Sequence, residues 1–384
     1  MTHISEREVD LPDAVIGKLI RIAVEDKSVI SLGPGEPDCN MPQPLIDYVK
    51  EVADKSNHYS PPGGRLELRE AIVKKLQKEN GIEANPDNII VTCGSQEALL
   101  LATACSLDVS EQVIVPNPSF LGYLPTFELF NAFPVALQLK EEDGWNINPD
   151  ELKKLIDKKK TKAILLNTPA NPTGNVLSKK ILEEIADIAV ENDIYVFSDE
   201  AYEKLIYGKK HYSIGSFNGM KNHVVTFHTF SKTYAMCGFR VGYAVGPTRL
   251  IEAMNKIHIY STLCAPTISQ MVATKALSLP QSYTEKMVKE YDRRRKMIVK
   301  GLNNIGLKTI EPFGAFYAMS NISHLTDDSF KFAFDLLRHG KVASVPGREF
   351  GKFGEGYLRF SYATDYKLIE EALGRIEKFV KKFK

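Results

Sequence analysis

Seven short apolar runs punctuate the first 250 residues: 88–92 (NIIVT), 112–115 (QVIV), 135–139 (VALQL), 163–167 (AILLN), 194–198 (IYVFS), 224–228 (VVTFH) and 241–245 (VGYAV). Their length, their Val, Ile and aromatic content and their turn boundaries predict buried strands. Amphipathic stretches fall between several of them. Ile181, Ile185, Ile188 and Ala189 recur at helical spacing behind Ser178, which is placed as an N-cap. Strand–helix alternation of this kind predicts an α/β fold with a mostly parallel sheet. The last two runs lie too close together for a helical crossover, so one of them is expected to run antiparallel.

The pattern changes after about residue 285. A charged helical stretch covers 291–302, strand-like pieces follow at 315–319 and 357–361, and an amphipathic helix carries Ile369, Leu373, Ile376 and Val380 on one side. This predicts a smaller α+β unit.

Composition narrows the function classes. With 384 residues, 43% of them hydrophobic, the chain can bury a large core without staples. Lys+Arg 49 against Asp+Glu 48 leaves a net charge of +1, so no global field draws it to nucleic acid or an anionic membrane. The runs Arg293–Lys296 (RRRK) and 158–160 (KKK) are therefore expected to be solvated helix faces. Cysteines at 39, 93, 105, 237 and 264 are odd in number and widely spaced, which argues against a disulfide framework and for a reducing compartment. Residues 1–10 (MTHISEREVD) are too charged for a signal peptide, and no apolar run reaches the ~20 residues of a membrane span. The expected location is cytoplasmic. No H-E-x-x-H pair suggests a metal, and neither glycine-rich nucleotide motif occurs.

In parallel sheets ligands gather at the carboxyl ends of strands, so the residues after each run carry the candidate chemistry. After 88–92 come Gly94, Ser95 and Gln96, then an apolar helix. A glycine turn opening a helix presents free N–H groups to an anion; the plainer alternative has Ser95 capping an ordinary helix. After 163–167, two prolines and a glycine fix a turn around Asn171. After 194–198 comes Asp199, a poorly hydrated carboxylate that calls for a cationic partner unless it caps a helix. Tyr202 lies one helical turn further on, if a helix starts there. After 224–228, Lys232 stands between Phe230 and Tyr234. Partial burial lowers an amine's pKa and frees its lone pair for attack on a carbonyl, whereas a loop lysine stays charged. Arg240, beside the last run, could hold a phosphate through two hydrogen bonds. Arg359, inside the apolar segment 357–361, must be paired by a structural carboxylate or by a substrate.

In this order and combination the segments resemble one family, the class I and II aminotransferases, pyridoxal-phosphate enzymes of fold type I. The resemblance begins at 31–38 (SLGPGEPD) and passes through 59–61 (YSP), 94–96 (GSQ), 117–120 (NPSF), 171–174 (NPTG) and 198–202 (SDEAY). It continues through Ser231-Lys232, 238–242 (GFRVG), 314–317 (GAFY) and 359–364 (RFSYAT), and so covers essentially the whole chain. It implies pyridoxal 5'-phosphate as cofactor. Lys232 would form the Schiff base and move the proton at the substrate α-carbon. Asp199 would pair with the pyridine nitrogen; two charges about 3 Å apart at an effective dielectric near 20 attract by roughly 5–6 kcal/mol before desolvation. Tyr202 and Asn171 would hydrogen-bond the ring hydroxyl and Phe120 would stack on the ring. Ser95, Gln96, Ser231 and Arg240 would hold the phosphate, with Tyr59 reaching it from the second subunit of a homodimer with shared sites. Arg359 would fork onto the substrate α-carboxylate, helped by the Gly35 backbone and Asn171.

The implied fold is α/β, with a seven-stranded, mostly parallel sheet in a large domain (45–285) and a small α+β domain from 1–44 and 286–384. Cis peptides are implied at Asn117-Pro118 and Asn171-Pro172. The implied reaction moves an amino group between an L-amino acid and a 2-oxo acid. A carbon–sulfur β-lyase on the same scaffold is the alternative. Ile16, Tyr123 and Tyr260 are candidates for the substrate side-chain pocket, an apolar and aromatic set that points to aromatic, hydrophobic or aspartate-like substrates.

Overall fold

The computed structural model describes Leu11, Gly17, Arg21, Ile22 and residues 25–383; Ile16 and residues 1–10 lie outside the described residues. Each apolar run becomes a strand of one sheet. In chain order the elements that build the site are α1 (Leu66–Lys75), β1 (Ile89–Thr92), α2 (Ser95–Ser106), β2 (Gln112–Asn117), β3 (Phe133–Gln138), β4 (Thr161–Asn167), α3 (Lys179–Asn192), β5 (Tyr195–Asp199), β6 (Val224–Thr229), α4 (Phe230–Thr233), β7 (Gly242–Val245) and α5 (Thr248–Ser261). The strand order is β1-β7-β6-β5-β4-β2-β3. β7 runs antiparallel to both β6 and β1, while the other neighbours are parallel. The link between β6 and β7, residues 230–241, holds only the single turn of α4 and a 3-10 turn at Cys237–Phe239, with no crossover helix, in keeping with the reversal.

Period-two alternation decides which side each residue serves. Along β4, Ala163 and Leu165 pack into a core with α2 and α5, while Ile164 and Leu166 pack into a second core with α3. A strand buried on both faces reads as an unbroken apolar run, which is why these strands were visible in the sequence. α3 starts where expected: the Ser178 Oγ accepts from the Ile181 N–H at 3.3 Å.

The remaining part holds α6 (Ser282–Ile305), β8 (Tyr317–Asn321), β9 (Val345–Pro346), β10 (Tyr357–Ser361) and α7 (Tyr366–Phe383). β9, β10 and β8 form an antiparallel sheet. α7 buries Ile369, Ile376 and Val380 in a core that also receives Ile30 and Leu32 from the start of the described chain. Residues Ile30–Ser31 pair in parallel with Val342–Ala343. Leu32 accepts from the Ser361 N–H at 2.7 Å, which brings the 31–38 segment beside β10.

One expectation is corrected. Arg294 and Arg295 are not a solvated face: they are 9% and 5% exposed. Arg294 pairs with Asp38 and Glu290, and Arg295 with Asp292 and Glu311. Their guanidinium groups also lie over Tyr291 and Tyr207. Carboxylates and aromatic faces make these buried cations tolerable. Lys158, Lys159 and Lys160 are exposed, as expected.

Candidate active site

The carboxyl ends of β4, β5 and β6 lie side by side, with Asn167 opposite Asp199 and Asp199 opposite Phe227. Asp199 is the last residue of β5 and no helix follows it. It therefore does not cap a helix: its Oδ1 accepts from the Ala201 N–H at 3.0 Å and closes a turn. That turn, rather than a helical repeat, brings Tyr202 round to the same cavity. Asn167 steadies the edge. Its amide donates to the Asp199 carbonyl at 3.1 Å, and its Oδ1 accepts from the Asn171 N–H at 2.7 Å.

The cavity at this edge measures about 330 Å³, within the range of small-molecule sites. Gly35, Ser95, Gln96, Phe120, Asn171, Asp199, Tyr202, Ser231, Lys232, Arg240 and Arg359 all line it, as do Tyr123 and Tyr317. Segments from Gly35 to Arg359 thus meet at one place, and of the expected cofactor and substrate residues Tyr59 alone does not line it. Tyr59 is 84% exposed and Tyr260 is 90% exposed, both outside these walls.

Lys232 sits on α4, whose first turn is capped by the Thr229 Oγ1 accepting from the Ser231 N–H. Its ammonium donates to the Gly35 carbonyl at 2.5 Å, and burial pulls its pKa below the usual lysine value. Asp199 is screened from bulk water and partly open to the cavity. Burial raises its carboxyl, against the pull of the Tyr123 hydroxyl, which donates to Oδ2 at 2.7 Å. Tyr123 was expected in the substrate side-chain pocket. The structure gives it the further contact with the acid.

The Gly94–Arg240 pair builds the anion side. Gly94, at φ +88, precedes α2, whose first turn has no side-chain cap, so Ser95 is not the cap. The Arg240 Nη2 passes so close to Gly94 that a Cβ there would lie 2.7 Å from it. Only glycine meets both requirements. Arg240 itself donates to the Cys237 and Cys93 carbonyls at 3.1 and 3.3 Å. Free N–H groups, a helix dipole and a guanidinium thus converge.

Arg359, 1% exposed, faces the opposite wall. Its Nη1 donates to the Asn171 Oδ1 at 3.0 Å and its Nη2 to the Gly33 carbonyl, while Nε, fully buried, has no partner. The rings of Tyr317 and Phe350 lie 4.4 and 4.9 Å from the guanidinium carbon. Among the described residues no carboxylate pairs with it. A buried cation without a counter-ion is a strong demand for an anionic ligand.

Sequence reasoning missed two supporting sets. Tyr317 was part of a quoted motif but received no role. Its hydroxyl meets that of Tyr202 at 2.8 Å. Under the turn after Asp199, Glu200 accepts from the Ser198 and Ser213 hydroxyls at 3.1 and 2.7 Å and lies 3.0 Å from the His211 Nε2. Glu203 takes an ion pair from Lys75 at the end of α1. Burial alone would raise the Glu203 carboxyl, but Lys75 and His228 hold it well below the usual range. The sequence carries no local signal for either carboxylate; the fold shows that they anchor the turn bearing Tyr202.

Comparison with known proteins places the chain in a family. The family description "Aminotransferase class I and II" matches residues 27–376. The chain is 48% identical to an aspartate aminotransferase of Pyrococcus abyssi over 96% of each sequence. It is 43% identical to aromatic-amino-acid aminotransferase 2 of Thermococcus litoralis over 99% of each. The crystal structure of an aromatic aminotransferase from Pyrococcus horikoshii OT3 superposes with a TM-score of 0.90 at 47% identity, covering 95% of this chain and 99% of that one. The family match covers most of the chain and the relatives are similar along nearly their whole length, and on that ground the chain belongs to the class I and II aminotransferases.

Proposed function

We propose that this aminotransferase works with pyridoxal 5'-phosphate, the cofactor of its family, in the cavity around Lys232. One observation carries the reading. A buried Arg359 with an unpartnered Nε shares a cavity with a lysine whose pKa burial has lowered. One group asks for a carboxylate and the other is tuned toward a neutral amine, which is the pair needed to handle an α-amino acid.

The residues also suit the cofactor. The uncapped first turn of α2, Ser231 and Arg240 would take its phosphate. Asp199, whose carboxyl burial raises, would be held ionised by a cationic ring nitrogen. Phe120 would cover the ring face, with Tyr202 and the free amide of Asn171 at the ring hydroxyl. When bound, the cofactor supplies the electron sink for the bond broken at the substrate α-carbon. In its neutral form the Lys232 amine would accept the proton from the substrate α-carbon and carry it across to the cofactor side, so that it is moved and not restored. Arg359, oriented by Asn171 and the Gly33 carbonyl, binds the substrate carboxylate as a fork. The same reading divides the chain into a cofactor-holding unit, 45–285, and a unit from 1–44 and 286–384 that brings Gly35 and Arg359.

For the substrate side chain we propose an aromatic or hydrophobic group. Phe120, Tyr123 and Tyr317 line the cavity, and its cations are Lys232, Arg240 and Arg359. The relatives named for aspartate and for aromatic amino acids fit this choice, with aspartate or glutamate as shared donors. A panel of amino donors with 2-oxoglutarate should show transfer from tyrosine or phenylalanine as well as from aspartate. Release of ammonia without a 2-oxo acid acceptor would instead favour the β-lyase alternative, for which neither named relative speaks.

Among the described residues no helix is long and apolar enough to cross a membrane. The proposed partners are small molecules and a second copy of the chain. Tyr59, 84% exposed on the turn-rich segment before α1, is proposed to reach the neighbouring phosphate in a homodimer. Tyr59→Phe should weaken cofactor binding roughly tenfold or more and leave the dimer intact, because a hydroxyl–phosphate bond is charge-assisted. Mixing inactive Tyr59 and Lys232 variants should restore some activity through the one intact site of a heterodimer. A fully active monomer in sedimentation at assay concentration would refute the shared site.

A further inference from the structure

We infer that Tyr317 is a positioning residue that couples carboxylate binding at Arg359 to the strength of the hydrogen bond that Tyr202 offers the cavity. The inference rests on the assignment of Arg359 and Tyr202 proposed above.

The geometry places Tyr317 at the junction. It is 0% exposed, its hydroxyl lies 2.8 Å from that of Tyr202, and the Arg359 guanidinium lies 4.4 Å from its ring centre. The rings of Tyr202 and Tyr317 meet edge to face at 5.7 Å, which fixes their relative orientation. Gly35 leaves the space: a Cβ there would come within 2.7 Å of the Tyr317 hydroxyl. Burial raises both phenols above the ordinary tyrosine value, so both stay neutral and one must donate to the other.

Arg359 biases which one donates. Its charge acts on both phenols, and its guanidinium lies directly against the Tyr317 ring, which favours Tyr317 as the donor. Tyr317 then donates to the Tyr202 oxygen, and the Tyr202 O–H is left to point into the cavity as a strengthened donor. A carboxylate on Arg359 neutralises that charge. Tyr317 becomes a weaker donor, and so does Tyr202 toward whatever it faces. Other charged or titratable groups around the pair are Asp199 on β5, Lys232 on α4 and Cys237 just after it. Of the groups facing the two phenols, Arg359 is the one that a substrate carboxylate would neutralise directly.

The test uses the cofactor-loaded protein and 3-phenylpropionate, a carboxylate with no amino group to transfer. The visible absorbance is titrated against pH with and without saturating probe, and the probe's dissociation constant is measured. In the wild type the probe should move the midpoint to higher pH, because a weaker Tyr202 donor stabilises an anion less. In Tyr317→Phe the rise should fall to half or less, with probe affinity within about threefold, a change too small for loss of the Arg359 site. Any other pair of results overturns the inference. If Tyr317→Phe does not fold, Tyr202→Phe breaks the same bond from the other side, and an undiminished rise there overturns it equally. A wild type with no probe-dependent shift removes the underlying assignment of Arg359 as well. A normal wild-type shift that Tyr317→Phe leaves unchanged removes only the coupling.

Discussion

Lys232→Ala should abolish transamination while leaving cofactor binding detectable. The amine is the one group in the cavity placed to attack a carbonyl carbon, and burial has already lowered its affinity for a proton. Among the described residues no second lysine lines the cavity to replace it. The anion-binding turn at Gly94–Gln96, Arg240 and the Phe120 face do not depend on the lysine, so non-covalent binding should persist. A transamination assay and equilibrium dialysis with the cofactor check the two halves of this expectation. A variant that turns over at more than a trace rate would mean that another group moves the α-proton.

Asp199→Ala should keep the fold and lower the rate by several powers of ten. The side chain closes one turn through the Ala201 N–H and meets the Tyr123 hydroxyl; both are polar contacts at the cavity edge, and Ala201 and Tyr123 keep their own packing in the two cores without them. Its loss removes the only carboxylate on the cavity wall among the described residues, and with it the charge proposed to hold the ring nitrogen protonated. Each ~1.4 kcal/mol of lost transition-state stabilisation is a factor of ten, so an interaction of a few kcal/mol gives this scale. Asp199→Asn should be nearly as slow, since an amide keeps the shape but not the charge. Steady-state kinetics decide, and near-normal turnover in either variant would remove Asp199 from the mechanism.

The strands were legible because burial on both faces writes an apolar run into the chain, and the antiparallel β7 because the link before it, residues 230–241, is too short for a crossover helix. The wall residues were legible because each follows a strand end, where the topology of a parallel sheet gathers ligands. Three things were not. The Tyr202–Tyr317 contact joins residues 115 apart in sequence, and no local pattern marks it. Arg294 and Arg295 read as a surface run because their partners, Asp38 and Glu311, are distant in sequence or carry no signal of pairing. Ser95 read as a helix cap because serine commonly is one, but Gly94 takes that position and leaves the N–H groups open.

The most direct test of the account is the site of covalent attachment. Borohydride reduction of the cofactor-loaded protein, followed by proteolysis and mass mapping, should bleach the visible band and leave a single pyridoxyl label on Lys232. A label on any other lysine, or a protein whose band resists reduction, would contradict the assignment of this cavity as the catalytic site.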